Sequence, residues 1–569
     1  MASLAEAEKP SAWRVLGIAL TNRKTGFMLI FGFASGLPFA LFLGTLFAWL
    51  SEAEVDLETM GIFSLIGLAY AFQFLWSPLI DKVDIPLLRK LGKRKQWIVP
   101  MQALLGVILV TLSLLEPKTQ LGWFSLLAGI GAFASATQDI AINAWRIDVA
   151  DEKATIDILS TIYQMGYRLS SLVGGALALI IAARIGWPET YMLMGALLIA
   201  AGILGFFAPN ADSDAKADDV QADEQVLALR KSGELNPAVR NRALGLITLL
   251  WTFAIGTVLT FMIMSMTFAP EDRPNPTEFT KNFGPWIIVA TIILPAFIAG
   301  WLAAQKRDNK FLLSEDVEPA NGVDYALDHL YRALVLPLVE FVGRMGWSLV
   351  LILAVVLTYR ICDAIWGTFA YPFYLGELNY SNDDVAFASK FFGIGAIIAG
   401  LAFGGFMLTV IGRMATLFIG GLLAALTNLL YADLAIGGAN MQAVSDAVGF
   451  TYLISQVPVI GDAELAKLTI TIAFENLAIG IAGAAYIAWL SSIVSKKFSA
   501  VQFALLSSLT LLVGTLGRGA LGEMIQNQGY FDVFVLTTLI GLAAVVLVCC
   551  EWWRQIRSGK KSGVVAPEV

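Results

Sequence analysis

The chain has 569 residues, 57% of them hydrophobic and only 15% charged, with a formal net charge of −7 and a mean hydropathy of +0.72. A soluble domain carries about 25% charged residues; here the charges cluster between apolar runs of roughly 20 residues, the length that crosses a bilayer, so a polytopic membrane protein is expected and a soluble one is not. The basic residues are sorted by position rather than pooled into a nucleic-acid patch, and three cysteines without metal-ligand spacing, with His329 as the single histidine, leave metal, cofactor and histidine-relay chemistry without their usual groups.

The N-terminus, "MASLAEAEKPSAWRV", has two Glu before its first basic residue, and its apolar run ends in no cleavage site, so it is not expected to be a removable signal peptide. Apolar runs then fall at about 25–50, 57–78, 97–115, 120–147, 156–184, 188–207, 243–268, 284–304, 347–376, 384–410, 413–434, 464–492, 498–525 and 529–551, which predicts fourteen transmembrane helices. With the N-terminus inside, 28 of the 38 basic residues lie in cytoplasmic segments and five in outside loops. One helix more or fewer would reverse every later side, so the bias supports this count with both termini cytoplasmic.

The span and acidic turn of "AWLSEAEVDLETMGIFSLIGLAYAFQFLWSPLIDKV" resemble "FYLGELNYSNDDVAFASKFFGIGAIIAGLAFGGFMLTVIGR" in pattern, a weak internal repeat. It divides the chain into a six-helix bundle (1–207), an acidic linker (208–242), two inserted helices (243–304), a cytoplasmic segment (305–346), a second six-helix bundle (347–551) and a tail (552–569). That all-α, 6 + 2 + 6 order resembles the fourteen-helix transporters of the major facilitator superfamily. Within 323–343, Leu327, Leu330, Tyr331, Leu334 and Leu338 form an apolar stripe, which suits either an interfacial helix or a loop helix packed on span ends. In the first span Gly32, Gly36, Ala40 and Gly44 recur every four residues and would admit another backbone.

Ionisable side chains inside a span cost a few kcal/mol on insertion scales and mark a pathway. In the first half these are Asp139 and Arg168, with Arg146 near the inner end; in the second, Arg360, Asp363, Glu475 and Arg518. "ATQDIAINAWRID" carries Gln138, Asp139, Asn143 and Arg146 about one turn apart, on one side of a helix. Asp139 and Arg168 are expected to pair, since a lone buried charge is costly. Tyr163 and Tyr167 form one ridge beside Gln164 and Arg168, and Tyr359, Asp363, Trp366 and Tyr374 share a side of the ninth span. Flat aromatic faces beside amides suit sugar rings, although Trp366 and Tyr374 equally suit an interfacial belt. Asp81, followed by a basic cluster, resembles the facilitator loop motif in which an acid holds neighbouring helix ends.

"GFASGLPFAL", "FLWSPLID", "GKRKQWI", "TQDIAINAWRID" and "YQMGYRL" resemble the AmpG-type muropeptide permeases, through the first 207 residues and more loosely to about 551. The resemblance implies a secondary transporter, not an enzyme, that imports anhydromuropeptides with protons across a bacterial inner membrane, without cofactor or nucleic acid, in peptidoglycan recycling and β-lactamase induction. A monomer in the lipid bilayer is expected. On this reading Asp139, Asp363 and Glu475 couple protons; Gln138, Asn143, Tyr163, Gln164, Tyr167, Arg168, Tyr359 and Trp366 meet substrate; Asp81 and Arg146 gate. The family usually has Asp where this chain has Asn143, and an amide cannot carry the proton, so coupling either rests on the other acids or is altered. Two other readings stay open: an acyl-coenzyme A carrier of the same superfamily, and a membrane enzyme on a lipid-linked substrate, the latter without a zinc motif, P-loop or clustered carboxylates.

Overall fold

A computed structural model describes residues 21–55, 72–210, 237–268, 276–307, 323–360, 372–456 and 464–557, with positions 17, 70, 272, 274, 369 and 370. Among these, every regular element is helical, and 11 helices are long and apolar enough to cross a membrane, or 12 if one bent pair is a single span. Eleven of the fourteen expected runs coincide with such helices. The second lies mostly on 56–69, outside the described residues; the ninth begins as Ser348–Thr358 and passes into 361–368, also outside; the thirteenth is a helix of 30 residues, Ser499–Gln528. The count of fourteen is therefore not reached among the described residues. Most of the linker and the end of the tail also lie outside them.

We label α1 Arg23–Glu52, α2 Ser77–Lys82, α3 Lys95–Leu112, α4 Leu121–Asp148, α5 Ile156–Ile185, α6 Trp187–Phe206, α7 Pro237–Thr267 and α8 Asn282–Ala304. There follow α9 Leu336–Met345, α10 Ser348–Thr358, α11 Asp384–Val410, α12 Arg413–Ala435, α13 Glu464–Ile493, α14 Ser499–Gln528 and α15 Tyr530–Arg557. Local signals set several ends. The Asn22 side chain accepts from Lys24 N at 2.9 Å to cap α1, and Gly412, at φ +84°, turns the chain between α11 and α12 where a side chain would be strained.

Packing joins helices within each half, the sets being counted in the 6 + 2 + 6 order expected from sequence. In the first, α1 lies on α5 and α3 on α6; in the second, α11 lies on α13 and α12 on α15. Counting within each set, first-on-fifth in one becomes second-on-fourth in the other when first and fourth, and second and fifth, are exchanged. Third-on-sixth is common to both, as an inverted repeat requires. Glycine makes the closest of these contacts: a Cβ on Gly32 would overlap the Tyr163 carbonyl oxygen, and one on Gly400 would overlap that of Leu477. Gly44, the outer member of the first stripe, has nothing within 4 Å of a built Cβ. Gly32→Val should therefore lower thermal stability in detergent by about 3 kcal/mol, through overpacking. Gly44→Ala should leave stability unchanged or slightly raised, and equal behaviour of the two would refute this packing.

Of the stripe in 323–343, Tyr331 and Leu338 are buried, Leu327 and Leu334 are half-buried and Leu330 is exposed. Val335 and Phe341 are also buried, α9 rests on the inner end of α8 and on α14, and the chain bends by 107° into α10. Two short helices, Ala439–Ala447 and Phe450–Ser455, lie between α12 and α13; no apolar period announced them.

Candidate transport site

Three helices converge on Asp139. Its Oδ1 accepts from Ser35 Oγ of α1 at 2.5 Å and from the Tyr163 hydroxyl of α5 at 2.7 Å, and those two hydroxyls stand 3.0 Å apart. Ser35 reaches the acid because Gly32 and Gly36 bring α1 onto the α5 backbone. The ring of Tyr167 packs on Phe39 and Tyr163 within electrostatic reach of Asp139, Arg168 and Arg360. Tyr70, whose hydroxyl lies 2.8 Å from Ser135 Oγ, completes the phenol cluster through its edge contact with Phe39.

Asp139 therefore does not take Arg168 as the partner expected from sequence. Its hydrogen bonds come from two neutral hydroxyls, and the guanidinium whose field reaches it is that of Arg146, while Arg168 lies beside Tyr167. Gln138 and Asn143 of α4 are buried. Gln138 donates through Nε2 to the Ala34 carbonyl at 2.6 Å, Asn143 donates to the Asp139 carbonyl at 2.8 Å, and Gln138 Oε1 and Asn143 Oδ1 have no partner among the described residues. Gln138 thus faces α1 in this conformation. Gln164, also buried, faces α13, with Nε2 3.9 Å from a Cβ built on Gly483.

Below Asp139, at the end that the basic bias assigns to the cytoplasm, the two sets of helices meet in a seam. Asp81 Oδ2 accepts the Val501 N–H in the first turn of α14 at 3.1 Å, where the helix end favours an anion, and Asp81 Oδ1 pairs with Arg94 Nη2 at 2.8 Å. Arg94 Nε donates to Asp148 at 2.6 Å and Nη2 to Ser499 Oγ at 2.8 Å. Burial works against the Arg94 charge, and the carboxylates of Asp148 and Asp81 outweigh it, so its pKa is raised. Asp157 and Arg413 bridge α5 and α12 at 2.8 Å, and Thr161 packs where a Cβ on Gly405 would sit. Arg146 crosses the same seam, its Nη2 donating to Ser491 Oγ of α13 at 3.0 Å.

The sequence model of the Major Facilitator Superfamily matches residues 25–315, half of the chain. The chain belongs to the major facilitator superfamily. Over 531 residues it is 29% identical to the anhydromuropeptide permease of Escherichia coli K12, covering 92% of this chain and 79% of that one. It is 24% identical to an AmpG-named transporter of Rickettsia conorii, over 92% of this chain and 94% of the relative. In fold it is similar to the human organic anion transporter MFSD10, with a TM-score of 0.53, 13% identity and coverage of 95% and 100%. The proton:xylose symporter XylE follows, at a TM-score of 0.50, 11% identity and coverage of 96% of each chain.

In the second half of this facilitator, Glu475 on α13 likewise accepts from a tyrosine, Tyr431, whose hydroxyl is 3.0 Å from that of Tyr374. Each half thus holds a carboxylate with a phenol donor, Asp139 on α4 and Glu475 on α13. Tyr359, expected at the substrate, donates through its hydroxyl to the Leu417 carbonyl at 2.8 Å, and its ring stacks on Tyr486 at 5.3 Å. Asp363 and Trp366 lie outside the described residues, as does the side chain of Arg518. Ser35, Tyr70 and Tyr431 were missed, because a hydroxyl within an apolar run is no signal until a carboxylate is placed beside it.

Proposed function

We propose that this chain is a proton-coupled importer of anhydromuropeptides, N-acetylglucosamine linked to 1,6-anhydro-N-acetylmuramic acid with or without peptide. It moves them from periplasm to cytoplasm across a bacterial inner membrane by alternating access, as a monomer. The observation that carries this reading is the likeness to the E. coli permease along 92% of the chain. Asp139, half-buried at a three-helix junction with donors from α1 and α5, supports proton coupling, because a carboxylate held by neutral hydroxyls can take up and release a proton without breaking an ion pair. Glu475 and Asp363 are the coupling acids assigned to the second half. Tyr163, Tyr167, Gln164 and Arg168 are assigned to substrate, with Gln138 and Asn143 joining only if α4 turns from α1, and Trp366 from the ninth span. Asp81 and Arg146 belong to the gate.

Right-side-out and inside-out vesicles, offered labelled anhydromuropeptide and acetyl-coenzyme A in parallel, test the substrate. Concentrative uptake of the anhydromuropeptide into right-side-out vesicles is expected. Uptake of acetyl-coenzyme A alone would replace this reading with the acyl carrier, and chemical alteration of the substrate without accumulation would replace it with the enzyme.

A further inference from the structure

A groove that no role above uses lies where the inserted helix α8 meets the second bundle. Its walls include Thr291 and Ala296 of α8, Phe341 of α9, Leu353 of α10, and Leu505 and Leu509 of α14, and they bound about 420 Å³, open side included. Thr291 is the single polar side chain of the lining, and its hydroxyl already donates to the Ile287 carbonyl at 2.6 Å. Nothing in the walls calls for water, and an apolar space of this kind takes an apolar guest. Leu353 stands five residues into α10 and Leu509 ten into α14, about 8 and 15 Å along helices that start at the cytoplasmic side. That is the depth of the inner leaflet's chains, half of a hydrocarbon core of about 30 Å. On the same spans Phe297 is 73% and Val350 67% exposed, so the opening continues the lipid-facing surface.

We propose that this groove binds one acyl chain of an inner-leaflet phospholipid, with the headgroup at the corner where α9 bends into α10. Trp347, at that corner, is 94% exposed, as a residue of the membrane interface is. Arg344 beside it lies over the ring of Phe341 at 5.7 Å, which joins the corner to the lining. The Arg344 charge is matched by Glu340 at 2.7 Å, so the corner is neutral and the chain, not the sign of the headgroup, sets the affinity. The guest is structural. α9 also grips Gln502 of α14, whose Nε2 donates to the Pro337 carbonyl at 3.1 Å and to Glu340 at 2.6 Å, and Val501 next to it carries the Asp81 contact of the seam. A chain between α8, α9 and α14 completes the joint by which the inserted pair holds the helix end that closes the seam.

The test needs no substrate. The full chain is reconstituted in vesicles of phosphatidylethanolamine and phosphatidylglycerol doped with phosphatidylethanolamine that carries a diazirine at mid-chain, photolysed, and its adducts mapped by peptide mass. Adducts should concentrate on 291–296, 341–353 and 505–509. Ala296→Trp, which puts an indole into the groove, should lower them about tenfold, because the contacts of two displaced methylenes are worth that much. Ile293→Trp, on the exposed side of α8, should leave them unchanged, and a phosphatidylglycerol with the same diazirine chain should label as well. Adducts of equal density on every lipid-facing span, or undiminished in Ala296→Trp, would reduce the guest to annular lipid and overturn the proposal. Labelling that follows headgroup charge would overturn it too, as would a lining left unlabelled between labelled neighbours, which would give the groove to a protein segment. Ala296→Phe repeats the filling with a smaller ring, and the parent map by itself separates a concentrated pattern from an even one.

Discussion

Asp139→Asn is expected to abolish concentrative uptake while substrate exchange between equal compartments continues. One proton crossing about 100 mV supplies roughly 2.3 kcal/mol, enough to accumulate a neutral co-substrate on the order of 50-fold. Without a titrating group at the junction of α1, α4 and α5, that ratio should fall to about one. The amide still accepts from Ser35 and Tyr163, which now donate to Asp139, so folding should survive. Measurement is by labelled anhydromuropeptide in proteoliposomes with an imposed gradient and, separately, in counterflow. Retained accumulation would move coupling to Glu475 or Asp363; loss of both activities would make Asp139 a structural acid.

The second large effect is expected at Arg94. Arg94→Met leaves Asp81 and Asp148 buried near one another without their shared cation, and breaking a buried pair from one side costs about 3–5 kcal/mol. The closed seam should be lost, read as rapid cytoplasmic labelling at Thr161→Cys and a fall in thermal stability. Adding Asp148→Asn to Arg94→Met should recover part of both, because one uncompensated carboxylate is gone. Arg89, which pairs with Asp84 at 3.2 Å but is 78% exposed, provides the contrast, since exposed pairs contribute little. If Arg89→Met proved as damaging as Arg94→Met, the seam would not be held by burial of its charges.

Hydropathy made most of the spans legible because the bilayer imposes one length on every crossing. The intramembrane acids were legible for a related reason, since charge in an apolar run stands out. Which partner each acid takes was not. Asp139 and Arg168 share a suitable spacing, yet the carboxylate turns to Ser35, 104 residues away, because glycines in α1 admit the α5 backbone. That close approach is visible in the Gly32 and Gly36 stripe, but its consequence for Asp139 needs the packing. Asp81 was legible as a motif; its partner, the Val501 N–H, lies 420 residues away. An aromatic on the same side as Asp363 can also stack within its own bundle, as Tyr359 does on Tyr486.

The most direct measurement is proton-linked flux of the proposed cargo through the purified chain: N-acetylglucosamine-1,6-anhydro-N-acetylmuramic acid, labelled, in proteoliposomes acidified outside. Uptake above the equilibrium level, collapsed by a protonophore and accompanied by alkalinisation outside, is the predicted result. Uptake that stops at equilibrium whatever the gradient, or no uptake of this disaccharide by protein that is folded and inserted, would contradict proton-coupled muropeptide import.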